Sequence, residues 1–272
     1  MYPFIYRRPA SVADAVRQFE AGDDSSYISG GHTLLPTLKA RLAAPTDMID
    51  LTALPELKGI EETDEGRILI RGGTVHADVA ASALVREKIP VLAGLAGSIG
   101  DRHVRHRGTI GGSVANNDPA ADYPSAVLAL DGIVVTDRRR VAADDYFTGL
   151  YETCREPGEI VIGVEFPVPL SAGYAKFRNL ASRYALAACF VARTTSGIRV
   201  AVTGAYNTGV TRTAAFEAAL AGDFSAEALD ALDIDPEDML SDPAATGAYR
   251  ANLVKILARR AVAHQGEVLI YK

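Results

Sequence analysis

The chain has 272 residues, of which 48% are hydrophobic and 23% charged, with a net charge of −6. That length allows two modest domains, each with its own core, and the acidic balance argues against a broad nucleic-acid surface. There is no apolar run of about eighteen residues to span a membrane and no apolar signal segment at the N-terminus. Cys154 and Cys189 are the only cysteines, too few for a disulfide framework or a four-thiolate iron–sulfur cluster, and they suit a reducing cytoplasm.

Ser11 to Asp14 has the form of a capping box, and Val12, Ala15, Val16 and Phe19 follow at helical spacing up to Gly22. A short strand is expected at Tyr27–Ser29. The glycines Gly30 and Gly31 come next, then a helix starting near Thr33 and running through Leu34, Leu35, Leu38 and Leu42, with Pro36 tolerable only in its first turn. Met48–Leu51 reads as a strand, and Gly59–Glu62 with Arg67–Arg71 as a hairpin around Asp64-Glu65-Gly66. Helices are expected at His76–Arg86 and around Pro90–Ile99, a long ordered loop at Asp101–Ala121, a helix at Ala126–Leu130, and strands at Ile133–Thr136 and Glu159–Val168. The short basic cluster Arg138-Arg139-Arg140 reads as a solvated turn.

From residue 173 the pattern changes. A hairpin is expected over Ala187–Thr194 and Ile198–Tyr206 around Ser196-Gly197, then two alanine-rich helices and a long helix at Thr246–Ala263, with Gly266–Lys272 as a tail. The expected fold class is α+β: a mixed α/β part over residues 1–172, then a small antiparallel sheet with helices over 173–272.

Adjacent glycines let a backbone take positive φ and approach a ligand with no Cβ in the way. A strand, Gly30-Gly31 and a helix form a plausible cradle for an anion such as a pyrophosphate; a capped turn is the plainer alternative. Thr109-Ile110-Gly111-Gly112-Ser113 repeats that chemistry, followed by Asn116, Asn117, Asp118 and Asp122, which suit sugar hydroxyls. Neither segment fits GxGxxG, nor does the Gly94, Gly97, Gly100 spacing, so a Rossmann dinucleotide site is not expected. Two separate glycine segments suit a ligand with an extended diphosphate.

SGGHTLLPTLKARL, GDRHVRHRGTIGGSVANNDPAADYP, PGEIVIGVEFPVP and KFRNLASRYALAACFVA, with SDPAATGAYRANLVKILARRAV near the end, resemble the FAD-binding medium subunits of the molybdenum hydroxylases, of carbon monoxide dehydrogenase and xanthine dehydrogenase type. The resemblance implies a two-lobed FAD domain of the vanillyl-alcohol-oxidase (PCMH) type and a small C-terminal domain. It implies non-covalent FAD in this chain, with 2Fe-2S clusters in a small partner subunit and the molybdenum cofactor in a large one. Ser29, Gly30, Gly31, His32, Thr33 and Leu34 match the family's first FAD loop, and Thr109, Ile110, Gly111, Gly112 and Ser113 its second. Asp122 matches an acid near the cofactor, Ile99 and Val161 apolar positions beside it, and Tyr184 a tyrosine near the flavin ring. Asn179 stands where the purine-oxidising branch has a lysine.

The implied function is electron transfer from partner clusters through FAD to an external acceptor, with no catalytic acid or base in this chain. The alternatives are a self-contained flavin oxidoreductase of the same fold and a flavin-free binding or assembly protein. The implied location is cytoplasmic, with membrane association through the complex left open. Several single residues keep two readings. His32 either contacts the cofactor or caps the helix, and Asp122 binds sugar, caps a helix, or both. His76, His103 and His106 read as surface or partner-facing, and Cys189 as apolar packing. The stretch Arg102–Arg107 meets an acidic partner or supports the FAD phosphates, the second being favoured.

Overall fold

The computed structural model describes all 272 residues. Ser11 accepts a hydrogen bond from the Asp14 N–H at 3.0 Å and starts helix α1 (Val12–Glu20). Strands β1 (Ile5–Arg7), β2 (Ser25–Ile28) and β3 (Asp47–Asp50) form a parallel sheet in the order β1-β3-β2. Parallel neighbours need a crossover, and α1 and helix α2 (Leu34–Lys39) provide it. Arg41, at φ 59°, ends the helical stretch before Leu42, so α2 is shorter than its apolar spacing suggests. Ala15 packs with Ile49, Leu51, Leu54, Leu57 and Ile160 as this lobe's core.

The second lobe begins with the hairpin β4 (Ile60–Glu62) and β5 (Ile68–Arg71), near the expected bounds. The expected helix at 76–86 is two helices, α3 (His76–Ala81) and α4 (Ala83–Lys88). They are separated at Ser82, whose extended backbone lets its hydroxyl cap α4 at the Val85 N–H. Helix α5 (Pro90–Ser98) follows. The expected loop at 101–121 contains α6 (Arg102–Arg105) and α7 (Ile110–Asn116), capped by Asp101 and Thr109. Two glycines and many polar residues hide their helical period.

After α8 (Tyr123–Ala129), strands β6 (Ile133–Thr136) and β7 (Arg140–Ala142) form a hairpin. Short elements α9 (Ala143–Tyr146), β8 (Phe147–Gly149) and β9 (Glu152–Thr153) lead to β10 (Val161–Phe166). The antiparallel sheet runs β4-β5-β10-β6-β7. The basic cluster is more than a solvated turn. Arg139 bonds the buried Glu159 through two nitrogens, and Arg140 grips Glu165 with two bonds of 2.6 Å.

The last sheet has the order β14-β13-β12-β11-β15. Its members are β11 (Ser171–Arg178), β12 (Ala185–Thr194), β13 (Gly197–Thr203), β14 (Thr211–Arg212) and β15 (Val268–Tyr271). The expected hairpin is β12–β13, one of its pairs. One face packs under helices α10 (Ala214–Gly222) and α11 (Gly247–Ala263); the other shares the large core of the second lobe through Tyr174, Ala188 and Phe190. The second alanine-rich helix is absent. Residues 224–240 make only two 3-10 turns, because Asp230, Asp233, Asp235, Pro236 and Asp238 disfavour a helix interior. The expected tail is also corrected: β15 pairs in parallel with β11, and Val268 lies over Gly94, where an added Cβ would come within 2.6 Å of it.

Candidate cofactor cleft

The two glycine segments meet. The Ser29 and Thr109 hydroxyl oxygens are 3.1 Å apart, and Thr109 Oγ1 also accepts the Gly112 N–H at 3.1 Å, capping α7. The second segment is therefore the first turn of a helix, not a loop. The four glycines divide by role. A Cβ on Gly30 would collide with the Arg107 carbonyl, and one on Gly111 would lie 2.6 Å from the Gly72 carbonyl oxygen. These two let backbone pass backbone. Gly31 has φ 72°, which only glycine takes cheaply, and Gly112 faces just the Thr109 hydroxyl, 2.9 Å from an added Cβ. These two meet side chains and not backbone, Gly31 the Leu35 side chain at 3.0 Å, and both line the cavity.

A cleft of about 890 Å³ runs along both segments. Ser29, Gly30, Gly31, His32, Thr33, Leu34, Ile99, Thr109, Gly111, Gly112, Ser113, Asp122, Val161 and Tyr184 all line it. Ile110 does not: its side chain is fully buried in the second lobe's core, the apolar anchor of α7. Asn116 and Asp118 line the cleft, whereas Asn117 turns away at φ 43° and donates to the Gly149 and Glu152 carbonyls, both at 2.8 Å. Tyr27, from β2, closes the far wall through its hydroxyl bond to the Gly158 carbonyl, 3.0 Å.

His32 is exposed and caps nothing, and α2 has no side-chain cap. Asp122 does not cap α8 either. Its carboxylate accepts from the Tyr174 hydroxyl and from Lys176 Nζ at 2.9 Å. His76 is not a surface residue. It is 5% exposed, lines the cleft beneath Gly108, and lies 5.3 Å from the Tyr123 ring centroid. Burial, helped by the nearby His32 and Arg105, pushes its pKa down to about 3, so the ring is neutral; its Nδ1 has no partner. Burial likewise raises the Asp118 carboxyl and the Tyr184 hydroxyl. Cys189 is buried in β12, and burial raises its thiol pKa.

The favoured reading of Arg102–Arg107 finds none of its charged side chains in the cleft. Arg102, His103, His106 and Arg107 are exposed, none lines the cleft, and Arg105 bonds the Ile99 and Gly100 carbonyls at 2.9 and 3.3 Å. The cleft's arginines are Arg155 and Arg183. Arg155 donates to the Glu159 and Ala115 carbonyls and keeps an unpaired Nε. Burial opposes the charged form of the neighbouring Glu159, but the bonds from Arg139, the Glu156 N–H and Thr136 outweigh it and hold its pKa down to about 2. His76 reads as a surface residue and Arg155 gives no signal, because their places come from tertiary packing; the Gly108 that makes room for His76 is the nearest sign.

Residues 2–169 match the family described as the FAD binding domain in molybdopterin dehydrogenase. The chain belongs to the FAD-binding medium subunits of the molybdenum hydroxylases. It is 36% identical over 242 residues to the carbon monoxide dehydrogenase medium chain of Hydrogenophaga pseudoflava, covering 84% of each chain. It is 35% identical to the nicotine 6-hydroxylase medium subunit of Paenarthrobacter nicotinovorans, over 96% of each. Among solved structures, it superposes on a chain of Cu,Mo-CO dehydrogenase in its cyanide-inactivated form with a TM-score of 0.88 at 33% identity, covering 97% of this chain and 98% of that one. On a chain of quinoline 2-oxidoreductase from Pseudomonas putida 86 the TM-score is 0.85 at 26% identity, over 97% of each. The fold is thus that of a PCMH-type medium subunit, and the protein is part of an oxidoreductase.

The residues present in this medium subunit fit FAD. The cleft volume lies at the upper end for ligand sites, suited to a large cofactor. The Gly30-Gly31 turn exposes backbone to the cleft, and hydroxyls, the neutral His76 ring and the Asp122 carboxylate line the same walls. No helix is long and apolar enough to cross a membrane.

Proposed function

We propose that this chain binds one FAD non-covalently along the cleft, with the diphosphate against the Ser29–Thr33 and Thr109–Ser113 segments. The carrying observation is the Ser29–Thr109 contact, which brings two distant glycine segments onto one cavity wall. Backbone N–H groups of the first segment, and hydroxyls of both, are donors for phosphate oxygens, while the N–H groups of residues 110–113 are already bonded within the chain. Asp122 and Asn116 are suited to cofactor hydroxyls, and Ile99, Val161 and Tyr184 to its ring.

The working partners in this reading are a small 2Fe-2S subunit and a large molybdenum-cofactor subunit, in a cytoplasmic complex. Bound FAD supplies single-electron acceptance and paired release, so the chain would pass electrons from partner clusters to an external acceptor. The chain's own residues bind and orient the cofactor. The exposed basic face of α6 stands as a surface for an acidic partner. The family match ends at residue 169, which supports a division near residue 172 between the FAD domain and the C-terminal domain.

The test is reconstitution of the purified chain with FAD. Stoichiometric, saturable binding that is weakened in Gly112→Ala supports the reading. Absence of flavin binding by a folded wild-type chain refutes it.

A further inference from the structure

Asp122 is 4% exposed and Lys176 is 1% exposed, and their charged atoms meet at 2.9 Å. Tyr174, fully buried, donates its hydroxyl to the other Asp122 oxygen. Asp122 stands at the start of α8, while Lys176 and Tyr174 are on β11, in the C-terminal sheet. Taking a carboxylate and an ammonium out of water is costly, and apolar residues of similar volume are often at least as stable. Stability alone therefore does not account for the group.

Its position does. Asp122 lines the cleft. A carboxylate has about four acceptor positions, and one donor on each oxygen leaves capacity for a ligand hydroxyl. An isolated anion would also repel a phosphate-bearing cofactor, and the Lys176 charge offsets this. Tyr123 and Tyr184 also face the carboxylate, and Cys189 lies behind Tyr174. None of these three is a cation.

We propose that Lys176 and Tyr174 are positioning residues that hold the Asp122 carboxylate fixed as an acceptor for a hydroxyl of the cofactor's sugar or ribityl chain. The C-terminal sheet is then part of the cofactor site and not an appendage to it. This rests on the FAD reading above.

The test uses the full chain and FAD, with affinity read from flavin fluorescence across mildly acidic to mildly basic pH. Lys176→Met should weaken FAD binding about tenfold to about a hundredfold, the size of a hydrogen bond to a charged group. It should also add a pH dependence absent in wild type. Without its cation the buried carboxylate takes up a proton as pH falls, and binding weakens further on the acid side. The double variant Asp122→Asn with Lys176→Met removes both charges. It should fold, bind FAD weakly and lose the added pH dependence. A folded Lys176→Met chain with wild-type affinity and pH profile would overturn the proposal, as would a double variant with wild-type affinity. If Lys176→Met alone does not fold, the double variant decides. A wild-type chain that binds no FAD would instead remove the reading beneath.

Discussion

Ser29 and Thr109, eighty residues apart in sequence, bring their hydroxyl oxygens to 3.1 Å. This contact joins the end of β2 to the cap of α7, and so joins the first lobe to the second at the cleft wall. Thr109→Val removes both the Ser29 contact and the bond from the Gly112 N–H. A lost N-cap costs about 0.5 to 2 kcal/mol. The variant should show a drop of that order in chemical denaturation and about tenfold weaker FAD binding. Unchanged flavin affinity would mean that the two segments do not hold the cofactor together.

The four glycines should separate by phenotype. Gly111→Ala forces a Cβ against the Gly72 backbone, an overpacking of about 1 to 3 kcal/mol; thermal unfolding should fall before any flavin effect can be read. Gly112→Ala is in a helix, where alanine is favoured over glycine by about 1 kcal/mol, and this offsets the displacement of the Thr109 hydroxyl, which lies 2.9 Å from an added Cβ. Its stability should be near wild type while its FAD affinity falls. A stable Gly111→Ala chain, or a Gly112→Ala chain with full affinity, would contradict this division.

His76 gives the protein a pH-dependent term of definite sign. Its pKa falls from 6.5 in the unfolded chain to about 3 in the fold. The unfolded state therefore binds a proton that the folded state refuses as pH drops below 6.5, and stability is lost from there down to about 3. At about pH 5 the loss is about 2 kcal/mol. Glu159, held down to about 2 from 4.5, begins to lose its contribution only below 4.5, so between 6.5 and 4.5 the slope reports His76 apart from Glu159. His76→Gln should flatten the pH dependence of unfolding free energy just below pH 6.5; an unaltered slope would show that His76 is not the titrating group.

His32 sits exposed on the first segment without a hydrogen-bond partner assigned to its ring. Acid or detergent should nevertheless release all flavin from the loaded chain. A flavin band that stays with the denatured polypeptide would place a covalent bond in this site and favour a self-contained oxidase.

The glycine segments were legible because positive φ and close backbone passage leave few residue choices, so chemistry shows directly in the letters. The roles of Gly30 and Gly111 were not, since their neighbours Arg107 and Gly72 come from elsewhere in the chain. Strand β11 escaped notice because residues 172–176 are buried on both faces, which erases alternation. Lys176 reads as a surface residue until Asp122, 54 positions away, is placed beside it. His76 looks like an ordinary helix start, and only the packing of α3 behind Gly108 buries it. The terminal strand β15 needs β11 as a partner, and that pairing has no local signature.

The most direct measurement of the central claim follows the flavin absorption band of the FAD-loaded chain under anaerobic conditions. The chain is mixed with its iron–sulfur and molybdenum-cofactor partner subunits and a substrate of the large subunit. Bleaching should occur only when both partners are present, and the chain alone should leave aldehydes, purines and carbon monoxide untouched. Substrate turnover by the single metal-free chain, or bleaching without the iron–sulfur subunit, would contradict the account.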